Sequence, residues 1–211
     1  MALVLPNSVF LHCPKTGGWW VRNAVRDLGI PTSELGHEHS NFKSGLLKLQ
    51  PPEWWANRTV FLFVRHPLSW YQSIWAFRLK HGWSMIHPLD FNCASNCFPT
   101  FVERALEWWP DGWVGRTFAE FSGVPEDVRL VVGHQERLRQ DLGDILRMTG
   151  DIVGKLRMDT PPANDSNMDG LSSAELAVYP PELRRKVLRA ERGMLGRWYR
   201  PGWELRGPIV V

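Results

Sequence analysis

The chain has 211 residues, 44% of them hydrophobic, and carries a net charge of +3 from 25 basic and 22 acidic residues. That length can bury one good core and is expected to form a single domain over 1–211, and so slight a charge demands no nucleic acid as a partner. Three cysteines, Cys13, Cys93 and Cys97, are too few and too odd for a secreted disulfide framework, and no stretch approaches the roughly 20 apolar residues of a membrane span.

The first apolar run, Ser8–His12, is read as a strand beginning within the first ten residues, with no room before it for a cleaved signal peptide. A soluble protein of a reducing compartment, the cytoplasm, is therefore expected. A Gly-containing turn follows, then a helix over Trp19–Leu28 that Gly29 and Pro31 close. A second apolar run, Val60–Val64, leads into a helix over Pro67–His81, where Pro67 suits the first turn and Trp70, Ile74 and Phe77 share a face. Asp90–Pro99 reads as a polar loop, Thr100–Glu107 as a short helix and Trp108–Arg116 as a turn. The third apolar run, Arg129–Val132, precedes a helix over Gln135–Thr149, with Leu138, Leu142, Ile145 and Leu146 at helical spacing. Pro161–Gly170 reads as a loop. Pro181–Tyr199 reads as a final basic helix whose apolar side is Leu183, Val187, Leu188 and Leu195.

Continuous apolar runs, rather than alternating ones, are what burial on both faces produces. Alternation of strand and helix then argues an α/β fold with a central parallel sheet flanked by helices. Twelve Trp residues are mostly expected in the core. Those near element ends (Trp54, Trp55, Trp83, Trp108, Trp109 and Trp113) have faces that suit a flat acceptor.

Two segments carry chemistry. Pro14-Lys15-Thr16-Gly17-Gly18 joins the first strand to its helix. Glycines there let backbone amides approach an anion, the helix N-terminus adds positive potential, and Lys15 adds a point charge. The lysine precedes the glycines, the reverse of the usual nucleoside-triphosphate loop, Gly-x-x-x-x-Gly-Lys-Ser/Thr. The second segment is Arg65-His66-Pro67, at the carboxyl end of the second strand, with Ser73 eight residues after the arginine. Open α/β sheets bind ligands at that end, and an arginine fork with a hydroxyl suits a phosphate.

These two motifs resemble those of the sulfotransferases that use 3′-phosphoadenosine 5′-phosphosulfate (PAPS) and release the bisphosphate PAP. Pro14-Lys15-Thr16-Gly17 matches the family's Pro-Lys-Thr/Ser-Gly, and Arg65, Pro67 and Ser73 match its strand–Arg-x-Pro with a downstream serine. The resemblance implies a three-layer, P-loop-NTPase-like fold. It also implies that Pro14, Lys15, Thr16, Gly17, Gly18, Trp19 and Trp20 hold the 5′-phosphosulfate, while Arg65 and Ser73 hold the 3′-phosphate. The segment after the third strand, an Asn-x-Ser-like loop and the basic last helix also look like the family. Gly18 and Trp19 depart from it: the family has Ser or Thr there, and each lost hydroxyl contact costs about 1 kcal/mol.

Sulfuryl transfer needs a base for the acceptor hydroxyl, and histidine serves near neutral pH. Several glycan 2-O-sulfotransferases carry a similar His-x-His-x-x-aromatic stretch, matched here by His37-Glu38-His39-Ser40-Asn41-Phe42. On that resemblance His39 is the base, with His37 the alternative. Lys15 stabilises charge growing on the departing nucleotide. No metal is needed in this scheme. A His-x-His pair suits zinc, but no third and fourth ligands stand at convincing spacing, and Cys93 with Cys97 gives only a weak metal hint. The acceptor is a small molecule or a glycan. Two other readings stay open: a non-catalytic relative that binds PAP or PAPS, and a P-loop kinase of a small molecule, against which the loop order speaks.

Overall fold

A computed structural model describes residues 2–42, 49–153, 160–161 and 170–211. The loop expected over Pro161–Gly170, with its Asn164-Asp165-Ser166 segment, lies outside the described residues apart from its two ends. In chain order the strands are β1 (Ala2–Val4), β2 (Ser8–Phe10), β3 (Ser33–Leu35), β4 (Thr59–Val64), β5 (Leu130–His134) and β6 (Ile209–Val210). The described helices are α1 (Gly18–Asp27), α2 (Pro52–Trp55), α3 (Pro67–His81), α4 (Pro88–Cys93), α5 (Phe98–Trp108), α6 (Trp113–Ser122), α7 (Leu138–Thr149), α8 (Ser173–Leu176), α9 (Pro181–Ala190) and α10 (Arg192–Trp198). Among the described residues no helix is long and apolar enough to cross a membrane.

The fold is α/β, on a six-stranded sheet of order β3-β1-β2-β4-β5-β6. The three strands expected from sequence are its centre: β2 pairs with β4 and β4 with β5, both parallel. The sheet as a whole is mixed, because β1, β3 and β6 join antiparallel at the flanks. These flanking strands are two or three residues long, too short to show a period.

The chain sorts into two compact units: Met1–Arg65 with Phe118–Asn164 and Pro201–Val211, and His66–Thr117 with Asp165–Arg200. The first holds the whole sheet. Phe10, Phe61 and Val131 lie in one row across the three central strands, and Phe10 and Phe61 stack with ring centroids 5.2 Å apart. Val21, Val25, Leu142, Ile145 and Leu146 from α1 and α7 join them in one buried cluster. Gly133 makes room for it, since a Cβ there would meet the Phe63 ring at 2.5 Å.

The second unit departs more from the sequence reading. Residues expected as a loop form α4, where buried Asp90 accepts from the Ser84 amide at 3.0 Å and pairs with Arg78 at 2.7 Å. Residues expected as a turn begin α6, and the single last helix is two, parted at Glu191. That one residue explains both differences. Its buried carboxylate accepts from the amides of Val114 (3.0 Å) and Gly115 (2.7 Å) and from the Tyr71 hydroxyl (3.0 Å). An acid set on the first turn of a helix satisfies amides that have no partner within it.

Removing that carboxylate should be costly. Glu191→Ala leaves two amides and a phenol without an acceptor, and urea denaturation should show a loss of about 2–4 kcal/mol. Burial raises the Glu191 pKa even against its three donors. The folded chain thus keeps a proton that the unfolded chain has lost, so stability declines as pH rises from the ordinary glutamate value through the raised one. Glu191→Gln should lack that decline in denaturation curves taken across pH.

Candidate functional site

Pairing geometry gathers the chemistry on one edge of the sheet. Since β2 and β4 run parallel, the Lys15 loop and Arg65 leave their strands at the same end. The third contribution comes through β1, which is antiparallel to both β2 and β3: Leu3 opposes Phe10, and Ala2 opposes Leu35. The end of β3 therefore reaches that edge too, and the segment carrying His37, Glu38 and His39 starts there.

The loop is tightly wound. Lys15 has φ +62, costly for a residue with a side chain, and Gly17 has φ +83. Gly17 is confined as well, because a Cβ would meet Leu138 of α7 at 2.5 Å. The buried Thr16 hydroxyl donates to the Cys13 carbonyl at 2.8 Å. Arg65 Nη1 donates to the Lys15 carbonyl at 3.1 Å, so the two sequence motifs, 50 residues apart, touch directly. The ten-residue α1 starts from this loop and has no acidic residue in its first turn. Backbone amides, a lysine and an arginine make a donor set fit for an anion such as a phosphate or phosphosulfate.

His12 lies beneath this loop. It is 3% exposed, and a Cβ built on Gly18 would fall inside its imidazole ring. Position 18 admits no side chain while the ring fills that space. Burial, with His39, Arg22 and Lys15 nearby, lowers the His12 pKa to about 3. The ring is then neutral at ordinary pH, so the approach of Glu38 Oε1 to its Nδ1 at 3.6 Å is no ion pair.

His39 packs its ring against that of His12, with centroids 4.9 Å apart. Its Nδ1 lies 2.8 Å from the His12 carbonyl. A carbonyl only accepts, so Nδ1 carries the proton and Nε2 the lone pair. Such a ring is ready to take a proton at a fixed place. His37 is exposed, and its amide donates to Ser40 Oγ at 2.6 Å.

The remaining expected residues divide. Trp19 is about half exposed and turns its edge to His12, at 6.2 Å between centroids. Trp20 belongs to the core, where its indole N–H donates to the Thr160 carbonyl at 3.0 Å. Ser73 lies buried in α3, in the second unit. His66 caps α3, its Nδ1 accepting from the Leu68 amide at 3.3 Å. Cys13 is buried, which pushes its thiol pKa far up, and burial also raises Cys93 to about 12. Of the acceptor candidates in the first unit, Trp55 is buried against Phe42, and Trp54 carries Arg58 over its face at 4.4 Å. The sequence alone marks neither Glu38 nor His12 as a partner of His39. No local spacing signals either, since the contacts that matter arise only when β2, β3 and α1 assemble.

In comparisons with known proteins, no family model, no curated protein and no solved structure matches this chain.

The overlap of Gly18 with His12 can be tested by a double-mutant cycle. Gly18→Ser puts a side chain into the imidazole and should cost about 2–3 kcal/mol in thermal or urea unfolding. Adding His12→Ser should recover most of that loss, giving a coupling energy of about 1 kcal/mol or more. Strictly additive effects would show that the two residues do not compete for the same space.

Proposed function

We propose that this chain transfers a sulfuryl group from PAPS to an acceptor hydroxyl, on a three-layer, P-loop-like scaffold. The observation that carries the reading is the hydrogen bond from Arg65 to the Lys15 carbonyl. It joins the two motifs that resemble the PAPS-binding elements, at the edge where an α/β sheet binds its ligands. When bound, PAPS supplies an activated sulfuryl group, and the acceptor oxygen replaces the nucleotide's bridging oxygen on sulfur.

The protein's own part follows from its residues. Amides at the start of α1 and the Lys15 ammonium hold the phosphosulfate, and Lys15 stabilises the charge that grows on the leaving oxygen. Arg65 serves the 3′-phosphate with its guanidinium, while Nη1 also holds the loop turn. His39 Nε2 takes the proton of the acceptor hydroxyl, its ring steadied by the His12 carbonyl. Gly18 and Trp19 provide no hydroxyls, so the loop binds chiefly through its amides. That departure favours, as the second reading, a relative that binds PAP without turnover.

Calorimetry with PAP, together with turnover of labelled PAPS against glycans, phenols and steroids, tests the proposal. Lys15→Ala should lower turnover about 10²–10³-fold. Arg65→Ala should weaken PAP binding about tenfold or more, since a charge-assisted bond is lost. His39→Ala should lower turnover about 10²-fold or more and leave PAP affinity unchanged. PAP binding with no turnover on any acceptor selects the non-catalytic reading. If PAP does not bind, or if Lys15→Ala and Arg65→Ala bind it as the parent does, the site assignment fails.

A further inference from the structure

His12, Glu38 and His39 are brought together by the strand order. One ligand atom from each lies within 4.8 Å of those of the other two. His12 is the anchor. It is almost wholly buried, and among the described residues its Nδ1 has no hydrogen-bond partner. Glu38 Oε1 faces that nitrogen at 3.6 Å, too long for a hydrogen bond. The spacing is close to that of two atoms sharing one tetrahedral cation: bonds of about 2.0–2.2 Å put them roughly 3.4 Å apart. His39 adds a second imidazole. Its Nδ1–H donates to the His12 carbonyl, which leaves Nε2 as the nitrogen able to bind. A backbone carbonyl behind a ligand imidazole is the usual way metal sites fix the ring.

We propose that His12, Glu38 and His39 form a three-ligand site for a divalent transition cation of the zinc class. Two imidazoles and a carboxylate suit Zn²⁺, or Co²⁺ in its place, whereas Mg²⁺ and Ca²⁺ take oxygen ligands throughout. Glu38 and His39 are exposed, so they can draw in toward the fixed His12 and still leave a fourth position to water. The third ligand that the His-x-His stretch lacks locally is thus supplied by the end of β2. Binding at this site does not rest on the sulfuryl-transfer reading.

The test is calorimetric titration of the full chain with Zn²⁺, paired with Co²⁺ titration followed by visible absorption. One equivalent should bind, and Co²⁺ should give the intense bands of a tetrahedral complex. Glu38→Gln and His39→Gln should each weaken binding by about tenfold or more. His37→Ala should leave it unchanged. Both weakened variants alter exposed side chains, and matching thermal melts with the parent confirm that their folds are intact. Absence of one-to-one binding overturns the proposal. So does unaltered affinity in Glu38→Gln and His39→Gln, or a loss in His37→Ala as large as theirs.

Discussion

Parallel pairing of β2 with β4, with Ser8 opposite Thr59 and Phe10 opposite Phe61, is the constraint from which the site follows. Strands that run the same way must end on the same edge, so whatever each carries at its carboxyl end is delivered to one place. The aromatic row Phe10–Phe61–Phe63 under α1 and α7 holds the register. A one-residue slip would turn those rings to the opposite face and part Lys15 from Arg65. Packing that looks remote from the chemistry therefore sets the distance between its two cations' chain segments. The Leu11 amide, bonded to the Phe61 carbonyl at 2.9 Å, carries the pairing up to the start of the loop.

Within the loop the limiting quantity is space. Lys15 lies at positive φ, which costs free energy in a residue with a Cβ and persists only where its surroundings enforce it, while Gly17 takes positive φ freely. Leu138 closes one side, Thr16 ties its hydroxyl back to Cys13, and Arg65 holds the Lys15 carbonyl. The His12 imidazole takes the volume that a side chain at Gly18 would need. A hydroxyl at position 18 and an imidazole at position 12 are alternatives, and this chain has the imidazole. The absence of a side chain at Gly18 and the buried imidazole of His12 are thus two sides of one packing constraint.

Much of this was legible in the sequence, and the rest for physical reasons was not. Central strands announce themselves because both their faces are buried, as in Val60–Val64. The start of α3 was readable from Pro67, though the helix is buried at Trp70, Tyr71 and Ser73 to Ala76 rather than along the single face of Trp70, Ile74 and Phe77 expected of it. The flanking strands were illegible because two or three residues cannot display a pattern. The helices α4 and α6 were hidden because their support comes from elsewhere. Asp90 ties the segment before α4 to α3, and Glu191, 76 residues beyond Gly115, receives the first amides of α6. Lys15 and Arg65 stood out because each ends an apolar run in a recognisable motif. Trp20, which the resemblance placed in the phosphosulfate loop, turns its side chain into the core, because helical phase points it there.

His39 is where the chemistry of this edge becomes conditional. A hydrogen bond to the His12 carbonyl gives the ring one orientation and leaves one lone pair, on Nε2. A proton and a metal ion both bind through that pair, so the nitrogen serves as a base or as a ligand, never both at once. Glu38 lies beside the same pair of rings, with Oε1 3.6 Å from His12 Nδ1. On the proposed readings, the contact that would ready His39 to accept a proton from an acceptor hydroxyl would equally ready it to bind zinc, and the two roles would compete for a single atom.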